Sequence, residues 1–379
     1  MLLGVGGWEV LSFVPLPATT PILTVKSKLG ELEAVLNEPT THVQLMVELL
    51  PGVSPASCVG KKVVGAALEA ISDGSPLWLD TTWLSGLRGP SAPSSVLTAF
   101  DSTIDDVLQE MVPGGCDAPA FVPVVAADAD QQHLRALRNF LEHKRRPVVV
   151  RARAGGMVIA EPWARIERIA AALDLALDDL HLVVDEGYVS EVSERRVHDL
   201  SAMVTELIRR HEYASLTVLG GSTPKSRNTD ETRPRERSEV RLWKILQTEC
   251  GYLLRYGDYG AVHPEPPLKD RPAPVQPDPY LHYTIPDARL TFRRRIPERV
   301  GRKVPSGATE RAFRELAEDV VHHQEFAGIR FSWGDRTLAS CRTDLSLPVG
   351  TVTKWIAMAT SHHLAHLANA ESEQLRASS

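Results

Sequence analysis

Short apolar runs recur along this chain at residues 22–25, 43–47, 77–79, 121–125, 147–150, 182–184, 216–219 and 252–254. Helical patterns over 30–36, 62–71, 96–111, 131–144, 163–173, 191–211 and 237–246 separate them. The third of these places Val96, Phe100, Ile104, Val107, Leu108 and Met111 at three- and four-residue steps, which makes one apolar helical face. Runs of three to five apolar residues without alternation suit strands buried on both faces, which are parallel strands. Parallel neighbours need long crossovers, and the intervening helices supply them. Eight such units predict an α/β fold, a (β/α)8 TIM-like barrel. An open doubly wound sheet shares the alternation and differs in closure. The number of units favours the barrel, and neither G-x-G-x-x-G nor a P-loop follows the first run, which argues against a nucleotide fold.

After Pro264 the pattern changes. Residues 265–279 carry prolines too densely for a helix or a central strand and are expected to run as a linker or lid. The apolar-rich stretches 280–285 and 289–293 flank Pro286-Asp287, a hairpin signal, and helices are expected over 309–326 and 349–369. The chain of 379 residues thus divides into an N-terminal extension (1–20), a barrel (21–264), the proline-rich segment, a smaller C-terminal α+β lobe (280–370) and a frayed tail (371–379).

A formal net charge of −6 argues against general coating of nucleic acid, so any such role must be local. Cys58, Cys116, Cys250 and Cys341 lie far apart with no C-x-x-C spacing, which points to reduced thiols and a cytoplasmic setting. The first residues are apolar but lack a basic n-region and carry Glu9, a poor signal peptide. No window approaches eighteen uncharged apolar residues, and no membrane partner is expected.

If the runs are barrel strands, the residues after each gather on one rim. These are Lys26, Glu48, Asp80, Asp128, Arg151 with Arg153, Asp185 with Glu186, Ser222, and Asp258 with Tyr259. Clustered Glu48, Asp80, Asp185 and Asp258 would repel one another unless a divalent cation, a basic group or shared protons hold them. With Mg2+ or Mn2+ on Glu48, Asp80 and Asp185, the set resembles a phosphoester or amide hydrolase, with Lys26 and Arg151 meeting developing charge. Without metal, a carboxylate pair could serve as acid and base on a sugar. The alternative is a solvated rim of internal salt bridges. Gly220 to Ser226, with Ser222 and Lys225, could present backbone N–H groups to an anion, or be a plain loop. Closure would set Asp258 beside Lys26.

Arg237 and Glu239 on one helix read as a structural ion pair at the barrel edge. His322-His323 and His362-His363 can each give one ligand to a common metal; His362 and His366 share a face, yet satisfied or exposed histidines suit them better. The basic run Arg289, Arg293, Arg294, Arg295, Arg299, Arg302 and Lys303 is the one place where a nucleic acid would dock, although a solvated face explains it too.

Residues 22–34 with 45–51 resemble the opening of the phage beta protein family. The segments 77–80, 148–151, 183–185, 224–226, 237–239 and 257–259, and the Tyr283-Thr284 pair, continue the resemblance in order, and Trp355 with residues 361–364 is similar too. The resemblance implies a role in phage conflict or defence beside a companion protein encoded nearby, acting as an interaction or ligand-sensing component; it implies no particular reaction. Arg293 to Arg295 and the long proline-rich insert depart from the family pattern.

Overall fold

The computed structural model describes residues 19–39, 41–111, 119–153, 162–225, 232–266, 277–297, 301 and 303–378. The N-terminal extension to residue 18, most of the proline-rich segment, Ser226, Arg299 and Arg302 lie outside them. The barrel begins with β1 (Ile22–Lys26), α1 (Leu29–Val35), β2 (Gln44–Glu48), α2 (Cys58–Ser72), β3 (Trp78–Asp80), α3 (Pro93–Met111), β4 (Val122–Ala126) and α4 (Gln131–His143). It continues through β5 (Val148–Arg153), α5 (Pro162–Leu173), β6 (Leu180–Tyr188), α6 (Glu194–Arg210), β7 (Ser215–Gly221), β8 (Arg235–Glu236), α7 (Ser238–Cys250) and β9 (Arg255–Asp258). The closed sheet runs β1-β2-β3-β4-β5-β6-β7-β9, all parallel, with β8 outside it. The expected barrel is present.

Strand alternation divides the side chains between two layers. Ile22, Met46, Trp78, Val122, Val124, Val149, Val183, Leu219 and Tyr259 fill the interior as one cluster. Their neighbours, such as Leu23, Val25, Leu45 and Val47, pack outward in the larger core that the surrounding helices cover. A Cβ on Gly257 would lie 3.1 Å from Thr217 Cγ2 and 3.3 Å from Leu219 Cδ1, so glycine lets β9 close against β7.

The closing strand sits later than its apolar run. Residues 252–254 form the connection after α7, which ends on Gly251 with φ at 58°; Leu253 is 51% exposed, and Leu254 N donates to Gln247 Oε1. Hydrophobicity was here a property of the approach, while the strand itself reads Arg-Tyr-Gly-Asp.

The smaller lobe contains the expected hairpin, β10 (Tyr280–Ile285) and β11 (Ala288–Arg293), to which β8 adds a third antiparallel strand. Helices α8 (Ala308–Val321), α9 (Trp333–Cys341) and α10 (Val352–Ser378) follow. Helix α9 was not anticipated: it is short and contains Gly334, and its start is secured by Ser332 Oγ, which accepts from Asp335 N at 2.9 Å. Helix α10 continues past the expected stop at residue 369. It packs on α1, α9 and β10 and so ties the lobe to the first barrel unit. Tyr283, Leu290, Phe292, Phe313, Leu316 and Trp355 form the lobe's own core, with the Phe313 and Trp355 rings stacked 5.3 Å apart. Among the described residues no helix is long and apolar enough to cross a membrane.

Candidate functional site

Lys26, Glu48, Asp80, Arg151, Arg153 and Asp185 stand at the C-terminal ends of β1, β2, β3, β5 and β6, in phase with the inward-facing residues of each strand. Tyr259, just past β9, joins them through Arg151 and Asp185. At the centre is the Arg151 guanidinium, 1% exposed. Its Nε and Nη2 donate to Asp185 Oδ2 at 3.0 and 2.8 Å, Nη1 lies 2.8 Å from Glu48 Oε1, and Asp80 and the Tyr259 hydroxyl complete the ring. Tyr259 in turn donates to Asp185 Oδ1 at 2.7 Å, an oxygen that Gly187 N also reaches at 2.9 Å. Thr82 N donates to Asp80 Oδ1 at 2.7 Å. Gly221 makes room for the phenol: a Cβ there would be 3.2 Å from the Tyr259 ring.

Lys26 adds a second cation, with Nζ 3.7 Å from Glu48 Oε2, 2.9 Å from the His263 carbonyl oxygen and 5.2 Å from the Tyr259 ring centre. Arg153 adds a third, 3.3 Å from Asp185 and 3.7 Å from Glu48, with its side chain 40% exposed. Three carboxylates therefore meet three cations. Burial alone would lower the Arg151 pKa, but Asp185, Tyr259, Asp80 and Glu48 outweigh it and hold the group well above its ordinary value. Burial likewise disfavours ionised Asp185, yet Arg151 and Arg153 keep its pKa below the usual carboxylate range. Burial raises the Tyr259 pKa well above that of a free phenol against the pull of Arg151, so it remains a donor.

The sequence expectation put Mg2+ or Mn2+ between Glu48, Asp80 and Asp185. The structure puts the Arg151 guanidinium there, and a hard divalent cation would have to displace it to gather six oxygens. The residues as arranged do not fit a metal. Among the described residues no group of three or more His, Cys, Asp or Glu has metal-holding geometry.

Asp258 does not join this cluster. Its register partner is Leu23, an outward residue, so its carboxylate points away from the barrel interior; Tyr259, and not Asp258, approaches Lys26. Asp258 instead accepts from Arg237 Nη2 and Tyr256 OH, both at 2.7 Å, and from Gly260 N at 3.0 Å; His363 Nε2 lies 3.0 Å from Oδ1. Although burial opposes it, the pairing with His363 and Arg237 drives the Asp258 pKa far below its ordinary value. Arg237 Nε donates to Glu239 at 3.1 Å, the structural ion pair expected on that helix. The chain of contacts continues into the small lobe: His363 Nδ1 meets Thr284 Oγ1 at 2.8 Å, and His362 bridges the Thr284 carbonyl and Asp335, each at 2.8 Å. His362 and His363 thus act at the lobe junction, a role that reading them as possible ligands missed. The signal was available for Tyr256, which shares a strand face with Asp258 two residues on.

The other candidates are dispersed. Glu186 pairs with Arg196, Asp128 is exposed, and Lys225 pairs with Glu265 on the surface. Ser222 is buried, and its carbonyl accepts from Arg289 Nη2 at 2.8 Å. Within the basic run, Arg289 is buried, Arg293 pairs with Asp278 at 3.0 Å and Arg294 with Asp319 at 2.8 Å, while Arg295 is exposed. The rim also carries aromatics that the strand-end rule could not single out: the Arg153 guanidinium lies 4.0 Å from the Trp83 ring centre, and the exposed Tyr188 ring is 4.9 Å from His263.

No curated protein matches the chain at a significant level. A family model described as Beta protein does match, over residues 20–369, and with nearly its whole length covered the chain belongs to the Beta protein family.

Proposed function

We propose that this chain is a binding component of a phage-conflict system, recognising a companion protein or ligand through the outer ring of its barrel mouth. What carries the reading is the commitment of the rim carboxylates. Glu48, Asp80 and Asp185 are buried and neutralised by Arg151, Lys26 and Arg153. Hydrolysis would need those oxygens free to hold a cation or take a proton. What the mouth leaves accessible is Arg153 against Trp83 and Tyr188 against His263. Trp, Tyr and Arg are the side chains that dominate binding hot spots. The phage setting is carried by the family alone.

The test is co-purification with the protein encoded beside it, together with phage challenge of cells carrying both. Trp83→Ala with Tyr188→Ala should fold as the parent does, weaken the association by about tenfold or more, and remove the phage phenotype. Mg2+- or Mn2+-dependent hydrolysis of bis-p-nitrophenyl phosphate, abolished in Asp185→Asn, would overturn the reading in favour of a metal-dependent phosphoesterase. Tight, salt-sensitive binding of DNA or RNA lost in Arg293→Ala with Arg294→Ala and Arg295→Ala would overturn it in favour of nucleic-acid binding.

A further inference from the structure

Away from the mouth, a cavity of about 570 Å3 opens between α7, the approach to β9, the β10–β11 turn and α10. Its size is that of a small-molecule site, and it lies at a junction between two lobes, where such sites concentrate. The walls are largely apolar and aromatic, including Trp243, Tyr256, Leu254, Ile285, Phe331 and Leu367. They are also fixed in place. Trp243 Nε1 donates to the Leu254 carbonyl at 2.8 Å, and its ring meets Tyr256 edge-on with centres 5.5 Å apart.

Arg237 and His366 line the cavity as well. Arg237 is 5% exposed, and its guanidinium is aimed by three neighbours: Glu239 takes Nε, while Tyr256 and Asp258 take Nη2. Nη1 is left with no partner among the described residues. His366 likewise has no hydrogen-bond partner among them, and burial together with Arg237 pushes its pKa down to about 3, so its ring is neutral and offers one donor and one acceptor. The charges at the wall disfavour an anion: Lys244 is paired with Asp287 at 2.7 Å, and Glu325 adds a further carboxylate. Arg237 already faces two carboxylates, Glu239 and Asp258, so a third anion would add repulsion, whereas an uncharged acceptor satisfies Nη1 without it.

We propose that this cavity is a second ligand site, taking an uncharged planar heteroaromatic molecule that lies against the aromatic walls and turns a carbonyl or ring-nitrogen edge to Arg237 Nη1 and His366. Trp243 supplies the reporter. Lumichrome, guanosine and nicotinamide are titrated separately into the full-length protein, following tryptophan fluorescence and thermal shift; benzoate serves as the charged control and cyclohexanecarboxamide as the non-planar one. At least one planar probe should bind saturably below about 1 mM, raise the melting temperature, and beat both controls. Ala370→Trp, an exposed position at the cavity lining, should weaken that probe by about tenfold or more without touching the buried polar groups, and Arg237→Lys should do the same. Where Arg237→Lys fails to fold, Ala370→Trp decides alone. No saturable binding of any planar probe by about 1 mM, binding unaffected by Ala370→Trp, or a preference for benzoate would overturn the site.

Discussion

The barrel mouth and the lobe junction are built from the same three residue types, with the arginine engaged to a different extent. At the mouth, Arg151, Asp185 and Tyr259 form a closed set in which each of the three guanidinium nitrogens faces a carboxylate. At the junction, Arg237, Asp258 and Tyr256 repeat the trio, yet one guanidinium nitrogen is left facing a cavity. The difference teaches which cluster is structural. A buried ion network whose central arginine is engaged at every nitrogen specifies a shape, while one whose arginine keeps a nitrogen unpaired beside an apolar cavity has capacity for a ligand.

The largest expected effect breaks the mouth. Arg151→Leu leaves Glu48, Asp80 and Asp185 buried with only Lys26 and Arg153 nearby, and urea denaturation should register a loss of about 3–5 kcal/mol. A loss under about 1 kcal/mol would mean that the mouth is not an electrostatic lock. Arg237→Leu should cost less, about 2–3 kcal/mol, because His363 still pairs with Asp258. Its signature should be local, with hydrogen exchange accelerating in β10 and α10 before the barrel strands.

Acid separates the two regions further, since no histidine side chain pairs with Glu48, Asp80 or Asp185 at the mouth, while His362, His363 and His366 lie at the junction. The folded His366 pKa is depressed to about 3, chiefly by burial, so its neutral form is the native one. Its contribution is intact above the unfolded value near 6.5 and is lost as pH falls toward 3, roughly 2 kcal/mol by pH 5. Stability followed between pH 7 and pH 5 should therefore fall more gently in His366→Leu than in the parent; identical slopes would remove the histidine from the account. The smallest stability effect belongs to Trp83→Ala with Tyr188→Ala, whose contacts with Arg153 and His263 are partly exposed and worth about 0.5–1 kcal/mol each. Thermal melts should barely move while partner binding collapses.

The barrel was legible because burial on both faces leaves a mark that needs no long-range information: the uncharged residues 148–150 and 216–219 fall within β5 and β7. The strand-end rule also brought Lys26, Glu48, Asp80, Arg151, Arg153 and Asp185 to one place. It failed at β9, where Leu253 and Leu254 belong to the approach and the strand's polar residues are paired by partners distant in sequence. Asp258 and His363 are 105 residues apart, and nothing local joins them. Nor could composition reveal that the mouth's cation is an arginine, since charge balance among Glu48, Asp80 and Asp185 is met equally well by a metal on paper.

The alternation along β9 has a consequence for assembly. Tyr256 and Asp258 serve the outer network and Tyr259 the inner one, and β9 meets β1 through only Ile22 with Gly257 and Leu23 with Asp258. A slip of one residue during closure would turn Asp258 into the interior and the Tyr259 phenol out, stranding both arginines at once. The register of β9 is thus specified on both faces at once, and the same register presents Asp258 to His363 of the small lobe.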